Sequence, residues 1–246
     1  MQALLPKWAP EMIRRIKPWG HRTLRMNARQ YIDRLALQAA RDRAAGGPRC
    51  SGTTGTWTEM MFVNGADFTA FANNASEGSL LSGQNEQPTF PSNFFFNKQG
   101  LRRGFVLEAQ GVLGTTSTPT IIFQVRLSPT VGSATLSGVS LAVSTAITTA
   151  SAVANKRWLL RLAMLCTVVG QGTNNSTLAG AGEVSSSGGF ASPFRYDLEP
   201  TTPDTATWTA TFDNSLQQYL NLSVTWGTAS PSNTITCKQL LMWGLN

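Results

Sequence analysis

Apolar and polar positions alternate along much of this chain, most clearly in its last quarter. In residues 207–212, Trp208, Ala210 and Phe212 share one face and threonines share the other. In residues 218–226, Leu220, Leu222, Val224 and Trp226 oppose Tyr219, Asn221, Ser223 and Thr225. A third run covers 234–243, after a break of small residues at 227–233 (GTASPSN). A period of two is the mark of half-buried antiparallel strands. Three closing strands are therefore expected, the last two joined by that loop.

The same reading extends upstream. Residues 56–63 (TWTEMMFV) form a first strand, followed by Asn64-Gly65 as a turn signal. Residues 67–75 are short helix or loop, and 78–99 form a long loop around Pro88, Pro91 and Phe94-Phe95-Phe96. Three consecutive phenylalanines cannot share one side of a sheet, so at least one is expected to meet a loop core or a neighbouring subunit. Strands are expected at 104–114 and 120–127, the second with Ile121, Phe123, Val125 and Leu127 on one face. Residues 135–152 are small and β-prone, with a bulge or turn at Gly138. The run at 155–169 (NKRWLLRLAMLCTVV) is the most apolar. Its β-branched end favours a strand over a helix, with Trp158, Leu160, Leu162, Met164, Cys166 and Val168 facing one way. Residues 170–189, rich in Gly, Ser and Asn, read as a strand–turn–strand excursion or exposed loop, and 190–198 as irregular chain or strand. Eight to ten strands with Gly, Pro and Asn turns predict an all-β domain: an antiparallel, jelly-roll-like β-sandwich.

The beginning of the chain differs. Asn27 is a suitable cap for one helix at 28–45, with Ile32, Leu35, Ala36 and Ala39 on one face, and Gly46, Gly47 and Pro48 ending it. Residues 1–50 hold 11 Lys+Arg and 3 Asp+Glu, a net of +8, whereas 51–246 hold 9 and 10, a net of −1. The high pI belongs to an arm, 1–50, and not to the β-sandwich domain, 51–246. Such asymmetry predicts a partner of negative potential. Trp8, Met12, Ile13, Ile16, Trp19, Leu24 and Met26 interrupt the charge. Apolar anchors among arginines favour docking on a protein surface over pure phosphate neutralisation, although nucleic acid stays open as a partner of the arm. The candidate partner-binding residues are Trp8, Ile13, Arg14, Arg15, Lys17, Trp19, Arg22, Arg25 and Arg29.

Catalytic chemistry is sparse. The one histidine, His21, lies among arginines that oppose its protonation. Cys50, Cys166 and Cys237 have no metal-site spacing, and Cys166 and Cys237 sit in apolar strand patterns as core residues. No Walker A or GxSxG sequence occurs. Among the carboxylates Asp197, Glu199, Glu59 and Glu108, nothing singles out a glycosidase-like pair. No enzyme activity, cofactor or metal is expected. No run reaches the ~18 apolar residues of a membrane span, and the apolar face of 28–45 is too weak to favour a helix lying on a membrane surface, so no membrane partner is expected.

One resemblance adds to this. The segment SVTWGTASPSNTIT (223–236) followed by QLLMWGLN (239–246) resembles the C-terminal ending of tailed-bacteriophage virion structural proteins of the β-sandwich type, of the capsid decoration (cement) or fibre class. The resemblance covers the last quarter of the chain well and, more loosely, the region from about residue 109 onward. It implies a bacteriophage virion protein, assembled in the host cytoplasm and located on the capsid surface. It further implies a homo-oligomer, with a trimer among the open states, and no reaction. The resulting expectation is a decoration protein whose arm meets the major capsid protein or other virion proteins. Two alternatives stand beside it: a tail fibre or baseplate protein that binds a host glycan, and an RNA-virus-type coat protein with a genome-binding arm. A polysaccharide depolymerase is the least supported reading.

Overall fold

The structure is a computed structural model that describes residues 58–83, 87–96, 103–170, 172, 175–200 and 209–245. The arm, the helix expected at 28–45, His21, the expected boundary near residue 50 and Trp208 lie outside the described residues.

Fourteen strands make up the described chain: β1 (Thr58–Val63), β2 (Phe71–Ala72), β3 (Gly78–Ser79), β4 (Thr89–Phe90), β5 (Gly104–Thr115), β6 (Thr120–Ser128), β7 (Val139–Ser144), β8 (Ile147–Thr148), β9 (Val153–Val168), β10 (Ser176–Ser185), β11 (Arg195–Glu199), β12 (Thr209–Phe212), β13 (Gln218–Trp226) and β14 (Thr234–Leu245). Ten of them are four residues or longer, which matches the expected number. All pairing is antiparallel. A 3₁₀ helix at Gly132–Ser137 replaces the start of the β-prone stretch, and Gly138 is the joint between that helix and β7.

Hydrogen bonds run along the order β1–β14–β5–β9–β10–β11–β7–β6–β13–β3. β10 is the fold line: Ser176–Ala179 pair with β12, and Gly182–Ser185 pair with β11. On one side β14, β5 and β9 are neighbours, and on the other β13, β6 and β7. The chain crosses between these layers from β5 to β6, from β7 through β8 to β9, and from β13 to β14. The crossings meet at one end, where Gly227 N donates to Thr120 O at 2.8 Å and Thr149 N donates to Pro119 O at 2.9 Å. Between the layers, Phe123 of β6 lies 5.4 Å from Trp158 of β9, and Phe90 of β4 lies 4.9 Å from Phe105 of β5. The result is a β-sandwich.

Alternation dictates what this core contains. Ile121, Phe123, Val125 and Leu127 are buried, as are Leu220, Leu222, Val224 and Trp226. So are Trp158, Leu160, Leu162, Met164 and Cys166, which makes the most apolar run a strand. Cys237 is also buried. Of the three phenylalanines, Phe95 is buried against Phe90 and Phe212, Phe94 packs at the core margin, and Phe96 is 49% exposed.

Two expectations fail for local reasons. Val168 is 54% exposed rather than inward-facing. Leu178 pairs with Cys166 but Thr177 pairs with Val168, so Thr167 is an extra residue on β9. One extra residue reverses the faces beyond it. In β13, Asn221 and Ser223 on the supposedly wetter face are fully buried. Glu77, Ser79 and Arg126 cover them. Ser79 Oγ donates to Asn221 Oδ1 at 2.7 Å, and Ser223 Oγ donates to Glu77 Oε1 at 2.5 Å.

Candidate functional site: a polar groove on the outer sheet face

The outward face of the β14–β5–β9–β10 layer carries two adjoining depressions, of about 470 and 490 Å³, that share Gln110 and Arg157. Register places the side chains. Gln239 of β14 is opposite Gln110 of β5, Gln110 is opposite Leu159 of β9, and Leu159 is opposite Ser185 of β10. Gln110 Nε2 donates to Gln239 Oε1, and Arg157 Nη2 donates to Gln110 Oε1 at 3.1 Å. An amide–amide–guanidinium ladder therefore crosses three strands. Long polar side chains on the wet face of a sheet keep their remaining donors and acceptors directed to solvent or to a ligand.

Both flanks of the ladder are shaped by irregular backbone. On the β14 side the register shifts between Cys237 and Gln239. Asn64 holds this bulge: its Nδ2 donates to Lys238 O at 2.9 Å and to Ala66 O at 2.7 Å, while its Oδ1 accepts from Leu240 N at 2.5 Å. The bulge presents Lys238 and Gln239 to the same depression. Lys238 Nζ in turn meets Asp67 Oδ2 at 2.5 Å. On the β9 side Asn155 has φ +52°, a left-handed conformation that asparagine tolerates better than most residues. Beyond it Asn155, Lys156 and Arg157 line one depression together with Ser185, Ser186 and Ser187. Ser186 Oγ fixes that rim by donating to Arg157 O at 2.6 Å.

Beneath the groove lies Trp158, 1% exposed. It fits because position 111 is glycine. A Cβ at Gly111 would stand 1.8 Å from Thr236 O and 3.0 Å from Trp158 Cε2. The next row of the sheet is acidic and basic by turns: Leu241, Glu108, Arg161 and Glu183 lie in register. Arg161 Nε meets Glu108 Oε2 at 3.0 Å, and Arg195 pairs with Glu183. No carboxylate lines either depression among the described residues.

No family model matches the chain, and no curated protein matches it. Among solved structures, the CBM2 module of the evolved Dit of Lactobacillus casei BL23 phage J-1 is similar at 11% identity and TM-score 0.30, over 80% of this chain and 93% of that one. A seed lectin isoform of Lotus tetragonolobus is similar at 6% identity and TM-score 0.29, over 80% of this chain and 94% of that one.

The arm residues Trp8, Ile13, Arg14, Arg15, Lys17, Trp19, Arg22, Arg25 and Arg29 lie outside the described residues. Of the carboxylates considered for chemistry, Glu108 is in an ion pair and Asp197 is an exposed residue of β11, opposite Glu183. Among the described residues no group of three His, Cys, Asp or Glu could hold a metal ion. The ladder of Gln239, Gln110 and Arg157 was missed in the sequence. Its one local signal is a long polar side chain at the outward position of each strand, and that signal is common on wet sheet faces.

Proposed function

We propose that this chain is a non-enzymatic structural and binding protein of a bacteriophage virion, and that its sandwich binds a surface glycan through the groove around Gln110 and Arg157. The observation that carries this reading is the ladder itself. Planar amides and a guanidinium are fixed side by side on a concave, carboxylate-free surface. Sugar hydroxyls both donate and accept, so a row of amides and serines is complementary to them. Hydrolysis would need a carboxylate pair across the groove, and the lining residues provide none. The C-terminal resemblance supports the virion assignment.

The test is a panel of neutral and acidic polysaccharides presented to the full-length protein. Saturable binding that falls at least tenfold in Gln110→Ala or Arg157→Ala, with the denaturation midpoint retained, is the expected result. About 1.4 kcal/mol corresponds to tenfold, within reach of one charge-assisted hydrogen bond. No binding to any glycan would overturn the reading.

A second reading rests on the charge partition, net +8 in residues 1–50 against −1 in 51–246. In it the protein is a capsid decoration protein, and Trp8, Trp19 and the arm arginines anchor it to the shell. Repeated weak contacts on a symmetric lattice would give avidity.

A further inference from the structure

The cations among the described residues fall into three groups. Arg126, Arg161, Arg195 and Lys238 each face a carboxylate: Glu77, Glu108, Glu183 and Asp67. Arg103 lies over the Phe94 ring at 5.2 Å and donates to Phe94 O at 3.0 Å. That leaves Lys156 and Arg157, which form no ion pair among the described residues, and both line the same depression. They are consecutive in β9, where ideal alternation would send them to opposite faces. The left-handed Asn155 just before them, and the start of the strand, allow both to border one concavity. The Lys156 stem also lies against the loop that follows β10: a Cβ at Gly189 would fall 3.2 Å from Lys156 Cβ.

An ion pair left without its anion, beside amides suited to hydroxyls, specifies a ligand with both features. We propose that the groove selects an acidic saccharide, a polymer carrying uronic acid carboxylates, with Arg157 and Lys156 on the carboxylate and Gln110, Gln239 and Asn155 on the hydroxyls. The inference rests on the glycan reading above and narrows it. Arg157 gives one N–H to Gln110, and the planar guanidinium carries five, enough for a two-point contact with a carboxylate. Lys238 is already matched by Asp67 and contributes less. A nucleic acid would need a longer cationic track, since its affinity grows with each phosphate neutralised. Residues 51–246 are net −1, which opposes such a track.

The experiment uses the full-length chain and an arm variant with Arg14, Arg15, Lys17, Arg22, Arg25 and Arg29 changed to Gln, because the arm is itself cationic. The probes are polygalacturonate, alginate, fully methyl-esterified polygalacturonate and a single-stranded oligothymidylate. Titration is run in both backgrounds, with and without Lys156→Gln and Arg157→Gln. The expected result is binding of an acidic polymer in the arm-variant background, weakened at least tenfold by Arg157→Gln, with the ester bound at least tenfold more weakly from the start. Equal binding of acid and ester forms would overturn acid selection and leave the glycan reading standing. Acid binding indifferent to both groove substitutions would place the site elsewhere and overturn the proposal. Oligothymidylate bound as tightly as the acidic polymers, and lost with Arg157→Gln, would make this a phosphate site and overturn it too. Failure of all three saccharides would overturn the acidic-saccharide proposal, and the glycan reading would then stand or fall on the wider panel of neutral and acidic polysaccharides. Lys156 and Arg157 are exposed, so an unchanged denaturation midpoint separates lost binding from lost folding.

Discussion

Gly111 is where a single atom decides whether β5 and β14 can pair. Its missing Cβ leaves room for Thr236 O, which would otherwise lie at 1.8 Å. Gly111→Ala is expected to destabilise the fold by about 1–3 kcal/mol, the usual range for overpacking, read as a lower denaturant midpoint. Glu77 is a second such residue. Burial alone would raise its pKa, but hydrogen bonds from Arg126 and Ser223 and the Arg126 charge outweigh burial and hold it below the ordinary carboxylate value. Both guanidinium contacts are 2.7 Å. A carboxylate with a lowered folded-state pKa stabilises the protein above its ordinary pKa, and that stability is lost as pH falls through the folded value. The denaturation midpoint should therefore drop on acidification below ~4.3, the ordinary Glu value, with a shallower drop in Glu77→Gln. Cys237 goes the other way: burial pushes its thiol up to about 12. The reactive species is the thiolate, so Cys237 should resist alkylation in the folded protein near neutral pH and react only when denatured.

At the scale of the element, strands carry the groove and bulges aim it. The bulge of β14 is held by Asn64, whose side chain makes three hydrogen bonds to Ala66, Lys238 and Leu240. Asn64→Ala leaves the Leu240 N–H and the Lys238 carbonyl without these partners. It should cost about 1–3 kcal/mol and weaken glycan binding by displacing Gln239, whereas a purely structural role would lower the midpoint and leave affinity intact. β9 lies between β5 and β10, and Trp158 joins it to the opposite layer through Phe123 at 5.4 Å. Trp158→Ala should cost about 3–5 kcal/mol, the loss seen when a large aromatic is removed from a packed core. Val168, outside the core because of the β9 bulge, should tolerate Val168→Thr within about 0.5 kcal/mol.

At the scale of the molecule, the groove is assembled from distant parts of the chain. Gln110 and Gln239 are 129 residues apart, and Arg157 and Gln110 are 47 apart. The arm belongs to this scale as well, through its charge. If it anchors the protein to a shell, the full-length chain should bind nucleic-acid-free capsids saturably and survive moderate salt, and Trp8→Ala with Trp19→Ala should abolish this. Binding that instead goes to naked nucleic acid and collapses steeply with salt would assign the arm to a genome.

What the sequence determined by itself is the long alternating strands, such as β5, β6, β9, β13 and β14, and most of their inward faces, whereas β2, β3 and β4 fall in stretches that read as loop. Period-two alternation is written in consecutive residues, and burial of one face follows directly from it, as in Ile121 to Leu127 and Leu220 to Trp226. It also determined that the positive charge is concentrated in residues 1–50 while 51–246 are near neutral, because charge is a sum over residues. Only the tertiary structure decided which strands are neighbours, where an extra residue reverses a face, as at Val168, and which polar side chains meet, as Gln239, Gln110 and Arg157 do. The physical reason is that backbone hydrogen bonds between strands are the same for every sequence. Alternation fixes each strand's faces, and the register between remote strands is set by the bulges, turns and core packing of the whole sandwich.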